Sequence, residues 1–277
     1  AASSFRLVAG DRPLFALSLG PDGGKIASLY IGFEVGGQSK WLHNFTRRRS
    51  EYQPGYMRYE LADAELGVEC SLAAVPLAEG AGATWRIEAY RAPAACRLIW
   101  ALGGSSGYHA NYLFDARRWR LAGEDAADNR VELTGPGLLL HAPNLASGYS
   151  RMTGRFVEHH WPKPVFADQG TEERLLAATC DFEGDYRAAN AGAAEASPLA
   201  LWQSEAGDYP VAVFRSAEVG VGFVGHIAAR TAAGERDIAA FFATPPGRLF
   251  AAGHSRARAV AGSLTVHSPE PELDAAC

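Results

Sequence analysis

The feature that most restricts the fold of this 277-residue chain is a long succession of short segments in which apolar and polar residues alternate. A period of two lines every second side chain along one face of an extended strand, whereas a helix needs a period near 3.6. Such segments fall at 5–9, 14–19, 26–33, 57–61, 68–75, 84–90, 97–102, 130–134, 138–141, 174–179, 199–203, 211–215 and 221–228. Gly10-Asp-Arg-Pro13, Gly20-Pro-Asp-Gly-Gly24 and Gly135-Pro-Gly137 separate them with turn chemistry. So many strands without long helices between them predict an all-β fold, a large antiparallel β-sandwich or supersandwich with one or two short helices. Helix is predicted for the Ala-rich stretch 185–194 and for 248–261, which follows Pro245-Pro-Gly247. With the sandwich taken to run to about residue 230, the second helix is expected on its edge. Region 144–171 reads as long and irregular, a type of loop that often carries function or lies against a partner.

The chain closes on Ser268-Pro-Glu-Pro271 and then Glu272-Leu-Asp-Ala-Ala-Cys277. Prolines stop a strand by removing donors and extending their neighbours, and Glu-Leu-Asp-Ala-Ala reads as the opening of a linker helix. The expectation is therefore a sandwich domain over 1–267, with 268–277 leading into a further domain.

Apolar residues make up 48% of the chain, sufficient for a sizeable core. A net charge of −5 and a pI near 5.9 argue against a nucleic-acid partner. No run approaches the roughly 18 apolar residues of a membrane helix, so no membrane partner is expected. Residues 1–5 lack the basic-then-apolar pattern of a signal peptide. The four cysteines, at 70, 96, 180 and 277, have no metal-ligand spacing. They read as buried thiols, with a Cys70–Cys96 bridge between neighbouring strands as the alternative. No cofactor and no metal is expected.

Three short motifs need weighing, and the first two fail their structural context. Gly103-Gly-Ser105-Ser-Gly107 matches the nucleophile-elbow pattern, but the helix and oxyanion segment that chemistry requires are missing. Gly220-Val-Gly222-Phe-Val-Gly225 matches a dinucleotide fingerprint, yet its glycines are woven through an alternating strand. Asn44-Phe-Thr46 is a glycosylation sequon whose meaning depends on the cell. His159 and His160 point to opposite faces of an extended chain, which disfavours a shared metal ion.

Lys40-Trp-Leu-His-Asn-Phe-Thr-Arg-Arg-Arg-Ser-Glu-Tyr-Gln-Pro-Gly-Tyr-Met-Arg-Tyr59 carries more information. It gathers aromatic faces among Arg, Asn and His, a combination suited to the C–H faces and hydroxyls of a sugar ring. The candidates for carbohydrate contact are Trp41, His43, Arg47, Tyr52 and Tyr56, joined by His159 and Trp161. The alternative is that these aromatics are core residues of two strands and their loop.

Phe5-Arg-Leu-Val-Ala-Gly-Asp-Arg-Pro-Leu-Phe-Ala-Leu-Ser-Leu19, Tyr52-Gln-Pro-Gly-Tyr-Met-Arg-Tyr-Glu-Leu61, Leu98-Ile-Trp-Ala-Leu-Gly-Gly-Ser-Ser-Gly107 and Val266-His-Ser-Pro-Glu-Pro271 resemble a bacterial family of unassigned activity. Its members join an N-terminal β-sandwich, similar to the galactose-mutarotase-like supersandwich, to a six-hairpin glycosidase-type (α/α)6 toroid. The resemblance implies carbohydrate as ligand, the toroid as intramolecular partner, a periplasmic or secreted location, and catalytic carboxylates in the toroid. The expected role is a non-catalytic domain of a glycoside-hydrolase-like protein. Two other classes remain. One is a sugar mutarotase or epimerase using an acid–base set on one sheet face, for which Glu88, His141 and His226 are available. The other is a stand-alone carbohydrate-binding module, marked by exposed aromatics.

Overall fold

A computed structural model describes residues 5–19, 24–106, 119–142, 174–232 and 234–263. In chain order its strands begin with β1 (Arg6–Ala9), β2 (Phe15–Leu19), β3 (Gly24–Val35), β4 (Gln38–Trp41) and β5 (Arg47–Gln53). Next come β6 (Tyr56–Asp63), β7 (Val68–Pro76), β8 (Gly82–Arg91), β9 (Cys96–Gly103) and β10 (Arg130–Thr134). Then follow β11 (Gly137–Ala142), β12 (Arg174–Cys180), β13 (Gly184–Asn190), β14 (Pro210–Glu218) and β15 (Val224–Ala232). The α-helices are α1 (Gly123–Ala126), α2 (Pro198–Gln203), α3 (Glu235–Phe242) and α4 (Pro246–Ser263).

These strands form two antiparallel sheets, as the alternation predicts. The first runs β1-β2-β3-β9-β14-β13, and β4 pairs with the far half of β3. The second runs β10-β11-β12-β15-β8-β7-β6-β5. Their inner faces share one core containing Phe15, Leu29, Phe33, Tyr59, Leu72, Trp85, Trp100, Phe214 and Ile227. Phe15 meets the Tyr59 and Trp85 rings edge-on across this core, at 5.9 and 5.7 Å between centroids.

Both outer faces are partly covered. On the first sheet, Tyr30, Trp41, Ile99, Ala101, Val211 and Val213 pack under Leu121, Ala126, the 3₁₀ turn Ala191–Ala193 and Leu201 of α2. On the second, Ala177, Ala228 and Leu139 pack under Phe241 of α3, and Ala73 and Val75 under Phe250 of α4.

Three predicted elements are corrected. Residues 185–194 are strand β13 and the 3₁₀ turn, because pairing with β14 and burial of Ala189 outweigh the helix propensity of alanine. Residues 199–203 belong to α2, a helix whose start is written as Ser197-Pro198. The Ser197 hydroxyl accepts from the Ala200 N–H at 3.1 Å, and proline suits the first helical position. Helix α4 lies across the outer face of β7, β8 and β15 and not on a sheet edge. Cys70 and Cys96 are buried free thiols with no bridge between them.

Candidate functional site

The aromatics of segment 40–59 separate into two places. Trp41 ends β4 on the first sheet and is only 1% exposed. Its indole N–H donates to the Ala194 carbonyl at 2.6 Å, and its ring meets Tyr30 edge-on at 5.3 Å. It therefore has no face to offer a sugar, which corrects its place among the contact candidates. His43 lies beside Tyr30 and Trp41. Burial, then the charges of Arg12 and Arg48, push its pKa down to about 4, so the ring is neutral at pH 7.

The other candidates lie at one end of the second sheet. Arg47 and Tyr52 are on the exposed edge strand β5, and Tyr52 is 74% exposed. Tyr56 is half-buried against α4, its ring 5.0 Å from that of His254. Tyr52 helps to line a groove of ≈ 450 Å³ with Pro54, Leu77, Arg256 and Ala257. His159 and Trp161 lie outside the described residues.

Beyond α4 the outer face of the second sheet is open, and strand register places polar side chains there in two ranks. One rank crosses Glu88 (β8), Ser71 (β7), Glu60 (β6) and Arg49 (β5). The next crosses His226 (β15), Arg86, Arg58 and Glu51, interrupted on β7 by Ala73, which Phe250 covers. Within single strands, Arg58 meets Glu60 at 2.5 Å and Arg86 meets Glu88 at 2.9 Å. The Tyr90 hydroxyl donates to Ser71 Oγ at 2.8 Å.

His226 closes this surface toward the start of α4. Its Nδ1 lies 2.8 Å from Asp181 Oδ2, and its backbone N–H donates to Asp181 Oδ1 at 2.7 Å. Burial alone raises a carboxyl pKa, but these two hydrogen bonds and the histidine charge leave Asp181 below the ordinary aspartate value. Gly247 of α4 sits so close that a Cβ there would be 3.2 Å from His226 Nδ1. The ring also meets that of Phe250 in a tilted contact, at 5.6 Å between centroids.

Of the three strand residues named for an acid–base set, the register puts Glu88 and His226 on adjacent strands and one face, a proximity that no spacing in the sequence singled out. His141 shares the face but sits at the level of Ala232 on the far side of β12, where Glu132 engages it at 2.9 Å. Arg58, Glu60, Arg86 and Asp181 were missed. The repeated Arg-x-Glu of Arg58-Tyr-Glu60 and Arg86-Ile-Glu88 was a usable signal, since residues two apart in a strand share a face.

The glycine motifs take structural roles. Ser105 is 3% exposed, and Asn129 grips both its backbone N–H and carbonyl at 3.0 Å. Gly220–Gly222 form the turn before β15, Gly222 with φ +81°, where glycine costs nothing. Among the described residues no group of three or more His, Cys, Asp or Glu could hold a metal ion.

The sequence matches a family described as Domain of unknown function (DUF4450) over residues 22–220. No curated protein matches it. The fold is similar to that of a bacterial glucoamylase crystallised with acarbose, at a TM-score of 0.54 and 8% identity. That match covers 92% of this chain but 35% of the glucoamylase chain, so this chain spans about a third of that protein's length.

Proposed function

The chain belongs to the DUF4450 family, and we propose that it serves there as a carbohydrate-associated, non-catalytic β-sandwich of a bacterial glycoside-hydrolase-like protein. In this reading residues 1–267 are a galactose-mutarotase-like domain placed N-terminally, and 268–277 lead to an (α/α)6 domain that carries the catalytic carboxylates. The observation that carries it is the asymmetry of the fold match: nearly all of this chain corresponds to about a third of a glucoamylase. The open face of the second sheet supports it further. Its Glu60 and Glu88 are each engaged by an arginine two residues away, Glu51 accepts from Gln53, and its arginines and Ser71 offer donors at the spacing of strands, about 4.8 Å. That surface suits a neutral ligand rich in hydroxyls. The test is incubation of the purified chain with a broad panel of chromogenic glycosides. No release is expected. Turnover that disappears in Glu60→Gln or Glu88→Gln would overturn the non-catalytic assignment.

One observation favours a second reading, a mutarotase or epimerase. Glu88 and His226 are diagonal neighbours on adjacent strands, within reach of one sugar ring. Mutarotation needs a base to take the anomeric O–H proton and an acid to protonate the ring oxygen, after which the ring opens and recloses. With Nδ1 held by Asp181, His226 has only Nε2 for that role. Polarimetry of freshly dissolved α-glucose and α-galactose separates the readings. The first predicts the solvent rate, the second an acceleration lost in His226→Gln.

A further inference from the structure

Strand β5 ends the second sheet, and all seven of its residues, Arg47 to Gln53, are exposed. Its register with β6 runs unbroken from Arg47↔Ala62 to Gln53↔Tyr56, with no bulge. Proteins blunt free edges with bulges, prolines or very short strands, because an unpaired row of N–H and C=O groups is a template for another strand. None of those devices interrupts β5. Charge is the remaining one, and here its pattern is directional: Arg47-Arg-Arg-Ser-Glu-Tyr-Gln53 is complementary to itself read backwards.

We propose that β5 is a dimerisation edge that pairs antiparallel with β5 of a second copy, about a two-fold axis through Ser50. The faces of the sheet fix where such an axis can fall. Copies related by an axis normal to the sheet must oppose residues from the same face, so the axis passes through a residue and not between two. On Arg49 it would set Arg49 against its own copy. On Glu51 it would set two carboxylates together. Both place like charges directly opposite, which is destabilising. On Ser50 it sets Arg49 against Glu51 of the partner subunit, Arg48 beside the partner's Tyr52, and Arg47 against the partner's Gln53, each twice by symmetry. Arg47 and Arg49 have no ion-pair partner among the described residues, and Tyr52 is the most exposed large hydrophobic residue there. The pairing gives all three something to meet. It joins two eight-stranded sheets into one continuous sheet through β5. An interface built on one strand is small, so the dimer is reversible and concentration-dependent.

Sedimentation equilibrium of the 277-residue chain over a wide concentration range tests this. Wild type is expected to show a monomer–dimer equilibrium. Arg49→Glu and Glu51→Arg each replace two attractive pairs with two repulsive ones, and each should weaken dimerisation by about tenfold or more. Both positions are exposed, so far-UV circular dichroism should show both variants folded. An equimolar mixture of the two should form a heterodimer, because carboxylates at positions 49 and 51 of one variant then face guanidinium groups at positions 51 and 49 of the other. The double variant should dimerise again for the same reason. The proposal is overturned if wild type stays monomeric throughout, if either single reversal leaves dimerisation unchanged, or if neither the mixture nor the double variant restores it.

Discussion

Trp41 and Tyr52, eleven positions apart in one aromatic-rich segment, have opposite fates. Composition showed that rings and arginines gather in 40–59, but not which rings are covered. Trp41 is covered by Ala194, 153 positions away, and no local pattern carries that information. Tyr52 sits on a strand exposed on both faces. Trp41→Ala should therefore lower stability by about 3–5 kcal/mol, while Tyr52→Ala should stay within about 0.5 kcal/mol of wild type, both read by thermal or denaturant melting. His43 adds a pH effect with a definite sign. The unfolded chain takes up its proton near pH 6.5, the folded one only near pH 4, so the unfolded state binds more protons between them. Stability should fall as pH drops through this window, by at most about 3 kcal/mol from this group. A His43→Gln variant should show a shallower loss over the same range in pH-dependent melts.

At the scale of elements, strands written in apolar–polar alternation were legible and those without it were not. β4, β5 and β13 escaped because the first two show no apolar alternation and the third is written in alanine. The last helix was seen, but its seat was not, because the seat depends on a glycine in its middle. A Cβ at Gly253 would overlap the Pro76 carbonyl oxygen and crowd Val75, so absence of a side chain lets α4 lie flat on β7. Gly262, on the same helix, has nothing within 4 Å of such a Cβ. In a helix interior Gly→Ala ordinarily stabilises by about 0.5–1 kcal/mol. Gly262→Ala should follow that rule or be neutral near the helix end. Gly253→Ala should reverse the sign and cost about 1–3 kcal/mol through overpacking. It should also disturb the Tyr56–His254 ring contact, which NMR ring-current shifts would report.

At the scale of the whole molecule, the segment that crosses from the first sheet to the second is fastened by a buried ion pair that no motif announced. Lys25, at the start of β3, meets Asp125 of α1 at 2.7 Å, and neither side chain has any exposed surface. Lys25 also donates to the Arg120 carbonyl at 2.5 Å, an oxygen that Ser28 shares at 3.1 Å. The Tyr30 hydroxyl accepts from the Leu121 N–H, and Asn129 grips Ser105. Together these bonds fasten 119–129 to the first sheet just before the chain enters β10 of the second. Sequence reading passed over Lys25 because a lysine in an alternating strand is normally an exposed residue; only the fold shows it buried. Its energetics are decided by pairing. Removing Asp125 takes the counter-charge from the buried Lys25 ammonium, so Asp125→Ala should cost about 3–5 kcal/mol in denaturant melts. Replacing both by apolar residues, Lys25→Met with Asp125→Leu, removes the desolvation cost along with the attraction, and the Arg120 carbonyl keeps its bond from Ser28. The double variant should therefore recover most of that loss. A double variant as unstable as Asp125→Ala alone would mean that the charges themselves, and not the filling of this joint, hold the crossing segment in place.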